Sequence, residues 1–559
     1  MFIRICKMQT ACVLVLFILG YMVKIWATTY DVGEGMPYEN IGDVPWESLV
    51  PGDTVRIRYR AAPYHEKWVI ARTGTESQNI VIQGVPNTGG ELPIIDGQNA
   101  ITRQELNYWS EERGIINVGG SSYPNQIPDY IIIENLDIRC ARPPYQFTDD
   151  QGQVREYANN AASIYVVEGS HIIIRNCIFH DCGNGFFVSH SASDVLVERC
   201  HIYDNGIEGS YYQHNNYTEA KGITFQYNHF GQLRDGCGGN NLKDRSCGTV
   251  IRYNWIEYGN RQLDLVESDH PEIYNDTLYN KTFVYGNIII EQTDEGNSQI
   301  CHYGGDGSNT GQYRKGVLYF YNNSVISKRS GNTTLFRLST NDEFCDARNN
   351  IVYVTADGNR LAMLNTYGIL NIRNNWFKTG WVESHQGGNY QGTIIDSGGM
   401  VIGDLPGFID WGSEDFHLSE SSSCVDAGTT LPQEVLPEHD VIRQYIKHCQ
   451  DEERSSDGIF DIGAYEYEQG GTIEDPPGYV FPNPCQVFMG YNLVTFSDLN
   501  PGCVIEIYDM SGRMVHNSGD LSETVYQWDV NRVSAGVYFY IINYFEEAVK
   551  SKGKLVIIR

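Results

Sequence analysis

The stretch VIRYNWIE, residues 250–257, decides the fold. Branched and aromatic residues flank a single asparagine, Asn254, and the same setting returns along the chain. It appears as Asn135 in IIIENLDI, Asn176 in IIIRNCIF, Asn228 in ITFQYNHF and Asn287 in FVYGNIII. It continues as Asn323 in YFYNNSVI, Asn350 in DARNNIVY and Asn375 in NIRNNWF, while Cys200 in VLVERCHI fills one rung. The intervals run from about 24 to 41 residues. A period of this size means a stacked array, because one unit cannot bury its apolar face alone. Each unit reads as short strands bounded by Gly, Asn and Asp. Asparagines at one site per coil can pair as an amide ladder inside the stack. The pattern therefore predicts that most of Asn176, Asn228, Asn254, Asn287, Asn323, Asn350 and Asn375 stack in one line, buried at one corner of the solenoid.

This series resembles the right-handed, single-stranded parallel β-helix of pectate-lyase-like proteins. The expected fold is all-β, such a helix followed by a small C-terminal β-sandwich. Residues 1–27 read as a signal peptide, with Arg4 and Lys7 ahead of an apolar run from Ala11 to Val23. An uncleaved anchor is the alternative. Residues 28–120, which include VPGDTVRIRY, resemble the cap and opening coils of secreted β-helical polysaccharide lyases. Repeats are expected over 121–380, a closing segment packed back on the helix over 381–468, and a linker over 469–478. Residues 479–559 resemble the type A sorting domain of the type IX secretion system. The resemblance rests on Pro482-Asn483-Pro484, the Asp509/Gly512 turn, Gly536-Val537-Tyr538 and a basic-apolar terminus. It implies export across the outer membrane, the type IX machinery as partner, and a secreted or cell-surface protein from which the domain is then removed. A carbohydrate-binding or adhesion module is the rival reading of this segment.

With 40 basic and 70 acidic side chains the formal charge is −30, which disfavours nucleic acid and anionic lipid as partners. No stretch after the leader is apolar enough to span a membrane, and a monomer is expected. The 38 tyrosines suit stacking on sugar rings. Of 14 cysteines, Cys237 with Cys247 and Cys485 with Cys503 are candidate disulfides, with buried free thiols the alternative. For Cys177 and Cys200, inside the repeats, free thiols are expected.

Equivalent residues of neighbouring coils lie about 4.8 Å apart, so side chains distant in sequence can meet on one face. The charged coils GNNLKDRS (239–246), RQLDLVES (261–268) and SQICHYGG (298–305) place Lys243, Arg245, Asp264, Glu267 and His302 on such a face. His190 and His214 come from upstream coils, and an insert adds Asp269 and His270. The phrase NNLKDRSCGTVIRYNWIE with LDLVESD resembles polysaccharide lyase family six, the alginate lyases and chondroitinase B. That resemblance implies Lys243 as Brønsted base in cleavage of an acidic polysaccharide. The chain differs at two places: Val266 stands where the family's arginine falls, and Gly236-Cys237-Gly238 where its acidic calcium ligands fall. Uronate β-elimination needs a base for the C5 proton and positive charge for the enolate, roles suited to Lys243 and Arg245. Asp264 would orient them, with His214 and His302 as alternative bases. No cofactor is indicated with certainty; Ca²⁺ is a candidate ion, with Glu267 and Asp269 as oxygen ligands. Two other readings stay open. Asp244, Asp264 and Asp306 could serve a glycoside hydrolase, or the face could be a non-catalytic glycan-binding or adhesive surface.

Overall fold

The computed structural model describes residues 27–293, 296–456 and 458–467, and 479–559 apart from 482–484, 488–491, 498, 500, 511 and 545–549. The leader, the linker and the Pro482-Asn483-Pro484 triplet lie outside the described residues. The chain divides into two compact units after Tyr467.

The first unit is the expected parallel β-helix. One sheet holds eleven parallel strands, running from Ile94–Asp96 to Val401–Gly403 with one strand per coil. The other faces are built the same way, and their register is unbroken over many coils. One inward column runs Ile133, Ile174, Val197, Phe225, Ile251, Val284, Phe320, Ala347, Ile372. All nine are buried. This stack of like side chains is the apolar core that a single coil could not make.

At the corner before the eleven-stranded sheet, amides bond from coil to coil. The Asn228 Nδ2 donates to Asn254 Oδ1 at 3.0 Å, Asn254 to Asn287 at 2.9 Å and Asn287 to Asn323 at 3.0 Å. Asn323 continues to Asn350 at 3.0 Å and Asn350 to Asn375 at 2.9 Å. Each Oδ1 also takes the backbone N–H of the preceding rung, as in Asn254 N to Asn287 Oδ1 at 2.9 Å. Each Nδ2 also reaches a carbonyl one coil back, as in Asn254 to Phe225 O at 3.0 Å. The ladder thereby satisfies turn groups that the solenoid seals from water. Cys200 caps it, its N–H donating to Asn228 Oδ1 at 2.9 Å.

Asn135 and Asn176 are not rungs, which corrects the expected line by one position at its start. Leu136 and Cys177 occupy the rung site, since the residues after them, Asp137 and Ile178, pair in register. The residue before each rung adopts a left-handed backbone, with φ of 59° at Asn135, 52° at Asn176, 58° at Tyr227 and 54° at Tyr253. Asparagine tolerates that conformation, so sequence alone confuses the turn residue with the rung. At Gly286 the same position (φ 64°) needs glycine, because a Cβ would stand 2.5 Å from the Tyr253 ring. In the paired asparagines the two roles sit side by side. Asn322, Asn349 and Asn374 make the turn and donate to Asp461, Thr429 and Ala427 of the closing segment at 3.1, 2.8 and 2.9 Å. That segment covers an outer apolar patch, with Phe416, Tyr445 and Ile462 packed on Trp255, Ile290 and Trp376.

The second unit joins a five-stranded and a three-stranded sheet around Phe496, Ile505, Trp528 and Leu555. The Asp509 carbonyl accepts the Gly512 N–H at 2.9 Å, forming the expected turn. Neither the Cys237–Cys247 nor the Cys485–Cys503 disulfide is formed. Cys177 and Cys200 are buried thiols, as expected.

Replacing Asn254 with Ala should cost about 1–3 kcal/mol, since buried neighbours lose partners. Asn176→Gly should stay within about 0.5 kcal/mol, because this exposed residue supplies only a turn that glycine also makes. Urea midpoints of the two variants test the assignment of rung and turn.

Candidate active site

A second, shorter ladder opens the face that carries the charged residues. Asn205 Nδ2 donates to Asn215 Oδ1 at 3.1 Å, and Asn215 Nδ2 to Asn241 Oδ1 at 2.9 Å. Beyond it the strands Asn216–Thr218, Leu242–Asp244, Leu263–Leu265, Gln299–Tyr303 and Thr333–Leu338 stack in parallel. Alternation sends Leu242, Leu263, Cys301 and Phe336 into the core. The residues after them, Lys243, Asp264, His302 and Arg337, continue an outward row that Tyr217 begins.

Three of the expected site residues bond directly. The Lys243 Nζ lies 2.5 Å from Asp264 Oδ2, and His302 Nδ1 lies 2.8 Å from Asp264 Oδ1. Asn240 Nδ2 donates to the same carboxylate at 2.7 Å. Asp264 is 1% exposed. Burial alone would raise its pKa, but Lys243 and the His302 contact hold the carboxyl well below the usual range. Burial lowers His302, whose Nε2 meets Ser339 Oγ at 3.0 Å, so both ring nitrogens are engaged.

Asp306 comes from the loop after Gln299–Tyr303 and lies against both cations. Its Oδ2 is 3.4 Å from Lys243 Nζ and its Oδ1 3.3 Å from Arg245 Nη2. Its side chain is 43% exposed, against 6% for Lys243 and 12% for Arg245. Burial opposes ionisation of Asp306, yet Lys243 and Arg245 outweigh it and keep the carboxyl low. Arg245 also donates to the Glu267 carbonyl and stands 5.7 Å over the Tyr217 ring. Burial raises the Tyr217 phenol despite both cations.

His214 is placed differently from a base. Its Nδ1 accepts the Asn240 N–H at 2.9 Å, which leaves the proton on Nε2. Burial, then Lys243, lower it to about 3. A neutral ring with this tautomer is a hydrogen-bond donor beside the lysine.

Two expected carboxylates have other work. Asp244 points inward and is fully buried, bonded to Arg314 at 3.2 Å, Thr249 at 2.7 Å and Thr218 at 2.7 Å. Glu267 accepts the Asp306 N–H at 2.9 Å and the Gly307 N–H at 2.5 Å, fixing the loop that carries Asp306. Asp269 is exposed, and no cluster of metal donors among the described residues includes it or Glu267. Tyr217 was not anticipated. The signal lay in Asn215 and Asn241, whose pairing sets Tyr217 beside Lys243.

Comparison with known proteins bears on the two units separately. Residues 479–558 match the family model "Secretion system C-terminal sorting domain". No curated protein matches the chain. Among solved structures, PorZ, a surface component of the type-IX secretion system of Porphyromonas gingivalis, is 27% identical over 18% of this chain and 13% of its own, with a TM-score of 0.15. An alginate lyase from Paenibacillus is 12% identical over 67% of this chain and 99% of its own, with a TM-score of 0.35. A lacto-N-biosidase from Eubacterium ramulus is 12% identical over 68% of each chain, with a TM-score of 0.38. No helix among the described residues is long and apolar enough to cross a membrane. The terminal unit is a type IX sorting domain, and it directs the protein across the outer membrane, to the cell surface or beyond.

Buried His214 and half-buried His201, His439 and His448 give a pH dependence with a definite sign. His201, His214 and His448 are lowered to about 3 and His439 to about 4, in each case first by burial. Unfolded histidine titrates near about 6.5, so the unfolded chain binds protons that the folded one refuses. Stability should be complete above about pH 6.5 and fall as the pH drops toward these folded values. His214→Asn, whose Oδ1 can accept the Asn240 N–H, should flatten that fall by up to one proton. Urea midpoints measured at pH 7 and pH 5 would show it.

Proposed function

We propose that the protein is an exported lyase that cleaves an acidic, uronate-containing polysaccharide by β-elimination over the Tyr217–Arg337 row. One observation carries this reading: Lys243 and Arg245 hold a single carboxylate, that of Asp306, one oxygen each. A uronate carboxylate has the same shape and charge. The phenol of Tyr217, in the row, and the neutral N–H of His214, outside it, stand next to the two cations.

In this reading the substrate carboxylate displaces Asp306 and sits between Lys243 and Arg245. Arg245, which keeps its charge, acidifies the adjacent C5–H and stabilises the enolate that forms when the proton is removed. Lys243 Nζ, as the amine, takes that proton. The C5–H electrons form the C4–C5 double bond, the C4–O bond breaks, and the leaving oxygen is protonated, with Tyr217 the nearest acid in register.

Hydrolysis by paired carboxylates is less well supported. It requires one carboxyl kept protonated as general acid. Asp264 and Asp306 are both held below the ordinary range, and Asp244 is sealed against Arg314.

The test is incubation with a panel of polyuronates, following unsaturated ends by ultraviolet absorbance and reducing ends chemically. The lyase reading expects both to rise together; reducing ends without absorbance would favour hydrolysis. Lys243→Ala should lower turnover roughly 10²-fold or more, the scale of a lost general base. It should also cost about 3–5 kcal/mol, because buried Asp264 loses its cation, so the comparison is made on protein verified as folded. Near-full activity in Lys243→Ala would move the base elsewhere.

A further inference from the structure

Outside the Lys243 row, a second group of side chains gathers on the same face. His190, Glu219 and His270 each present a donor atom within 4.8 Å of the others. They come from different places in the chain. Val188 and Thr218 pair in adjacent coils, and His190 and Glu219 follow them closely. His270 precedes the one-turn helix Pro271–Tyr274, in an insert that folds back toward these earlier coils. The insert is anchored by Ile273, which packs with Cys247 and Tyr279 in a small core of its own.

Several features exceed what a chance surface cluster would show. Glu219 is 8% exposed. Its Oε1 accepts the Ser268 hydroxyl, which orients the group and leaves Oε2 turned to His270 Nε2 at 3.7 Å. Such an outer hydrogen bond is the usual support of a metal-binding carboxylate. His190 and His270 lie face to face, with ring centroids 3.5 Å apart and planes 13° apart. Two imidazolium ions could not share that contact without strong repulsion, so at least one ring is neutral and offers a lone pair. Parallel rings do not aim both lone pairs at one point, so one must turn to complete a site. His270, 37% exposed in its side chain, has the room. Glu272 Oε1 stands 3.5 Å from His190 Nε2 and 4.0 Å from His270 Nδ1, close enough to serve as a fourth donor.

We infer that His190, Glu219 and His270 form a binding site for a divalent ion of the zinc class. Two imidazoles with one carboxylate suit Zn²⁺ or Co²⁺, whereas Ca²⁺ takes six or more oxygens. The site stands apart from the bonds of Lys243 and Asp264, and the inference does not depend on the lyase reading. It lies close to them all the same. Glu219 and Arg245 follow the paired residues Thr218 and Asp244 in neighbouring coils. An ion with a free coordination position would therefore add charge to the groove next to Arg245.

The experiment uses untagged, metal-stripped protein. Titration with Co²⁺ is followed by visible absorption, and titration with Zn²⁺ by calorimetry. The expected result is one equivalent of either ion, with Co²⁺ bands of a nitrogen- and oxygen-ligated centre. The His190→Ala/His270→Ala double variant should lose both signals while keeping its circular dichroism and melting temperature. Ser268→Ala, which removes only the outer hydrogen bond, should weaken binding about 10–100-fold. His201→Ala serves as control, because His201, His229 and His448 form a separate stack at 4.5 and 4.0 Å. Absence of a stoichiometric ion would overturn the assignment, as would binding undiminished in the double variant or lost in His201→Ala instead.

Discussion

Coil-to-coil amide bonding at one corner of the solenoid is the constraint on which the rest depends. A rung fixes both the height of its coil and the direction of every side chain that follows. In a strand the side chains alternate, so a slip of one residue would turn Lys243, Asp264 and His302 into the core and expose Leu242, Leu263 and Cys301. The ladder from Asn228 to Asn375 makes that slip costly, because each buried amide would lose its partners together. The shorter Asn205–Asn215–Asn241 ladder repeats the device at the entrance to the charged face.

Register alone does not place the loop that carries Asp306. Lys243 and Asp244 are sequence neighbours that face opposite ways, and Asp244 draws Arg314 into full burial. Arg314 also donates to Thr249 and Thr282 at 3.2 Å, which pins the far end of the loop. Glu267 holds the near end through the N–H groups of Asp306 and Gly307. Asp244, which reads as a catalytic carboxylate, and Glu267, which reads as a calcium ligand, thus shape the loop, and the exposed Asp306 carboxylate between these anchors meets the cations.

The period, the parallel stack and the sorting domain were legible because each leaves a pattern longer than any one residue. So was the gathering of Lys243, Asp264 and His302, since regular coils preserve spacing along a face. The errors have local causes. Asparagine suits both a left-handed turn and an amide rung, so Asn135 and Asn176 could not be told from Asn254 without the backbone. Asp244 and Asp264 look alike in sequence, and only the strand phase sends one inward. The role of His214 depends on which nitrogen meets the Asn240 N–H, and the grouping of His270 with His190 depends on an insert that crosses coils.

The claim at the centre of this account is that Lys243 and Arg245 form a clasp for a sugar carboxylate, filled in the free protein by Asp306. It is tested most directly by the affinity of a uronate saccharide too short to be cleaved, measured by calorimetry for the parent protein and for Asp306→Ala. Removing the internal competitor should tighten binding of the uronate. Unchanged or weaker binding in the variant would contradict the clasp.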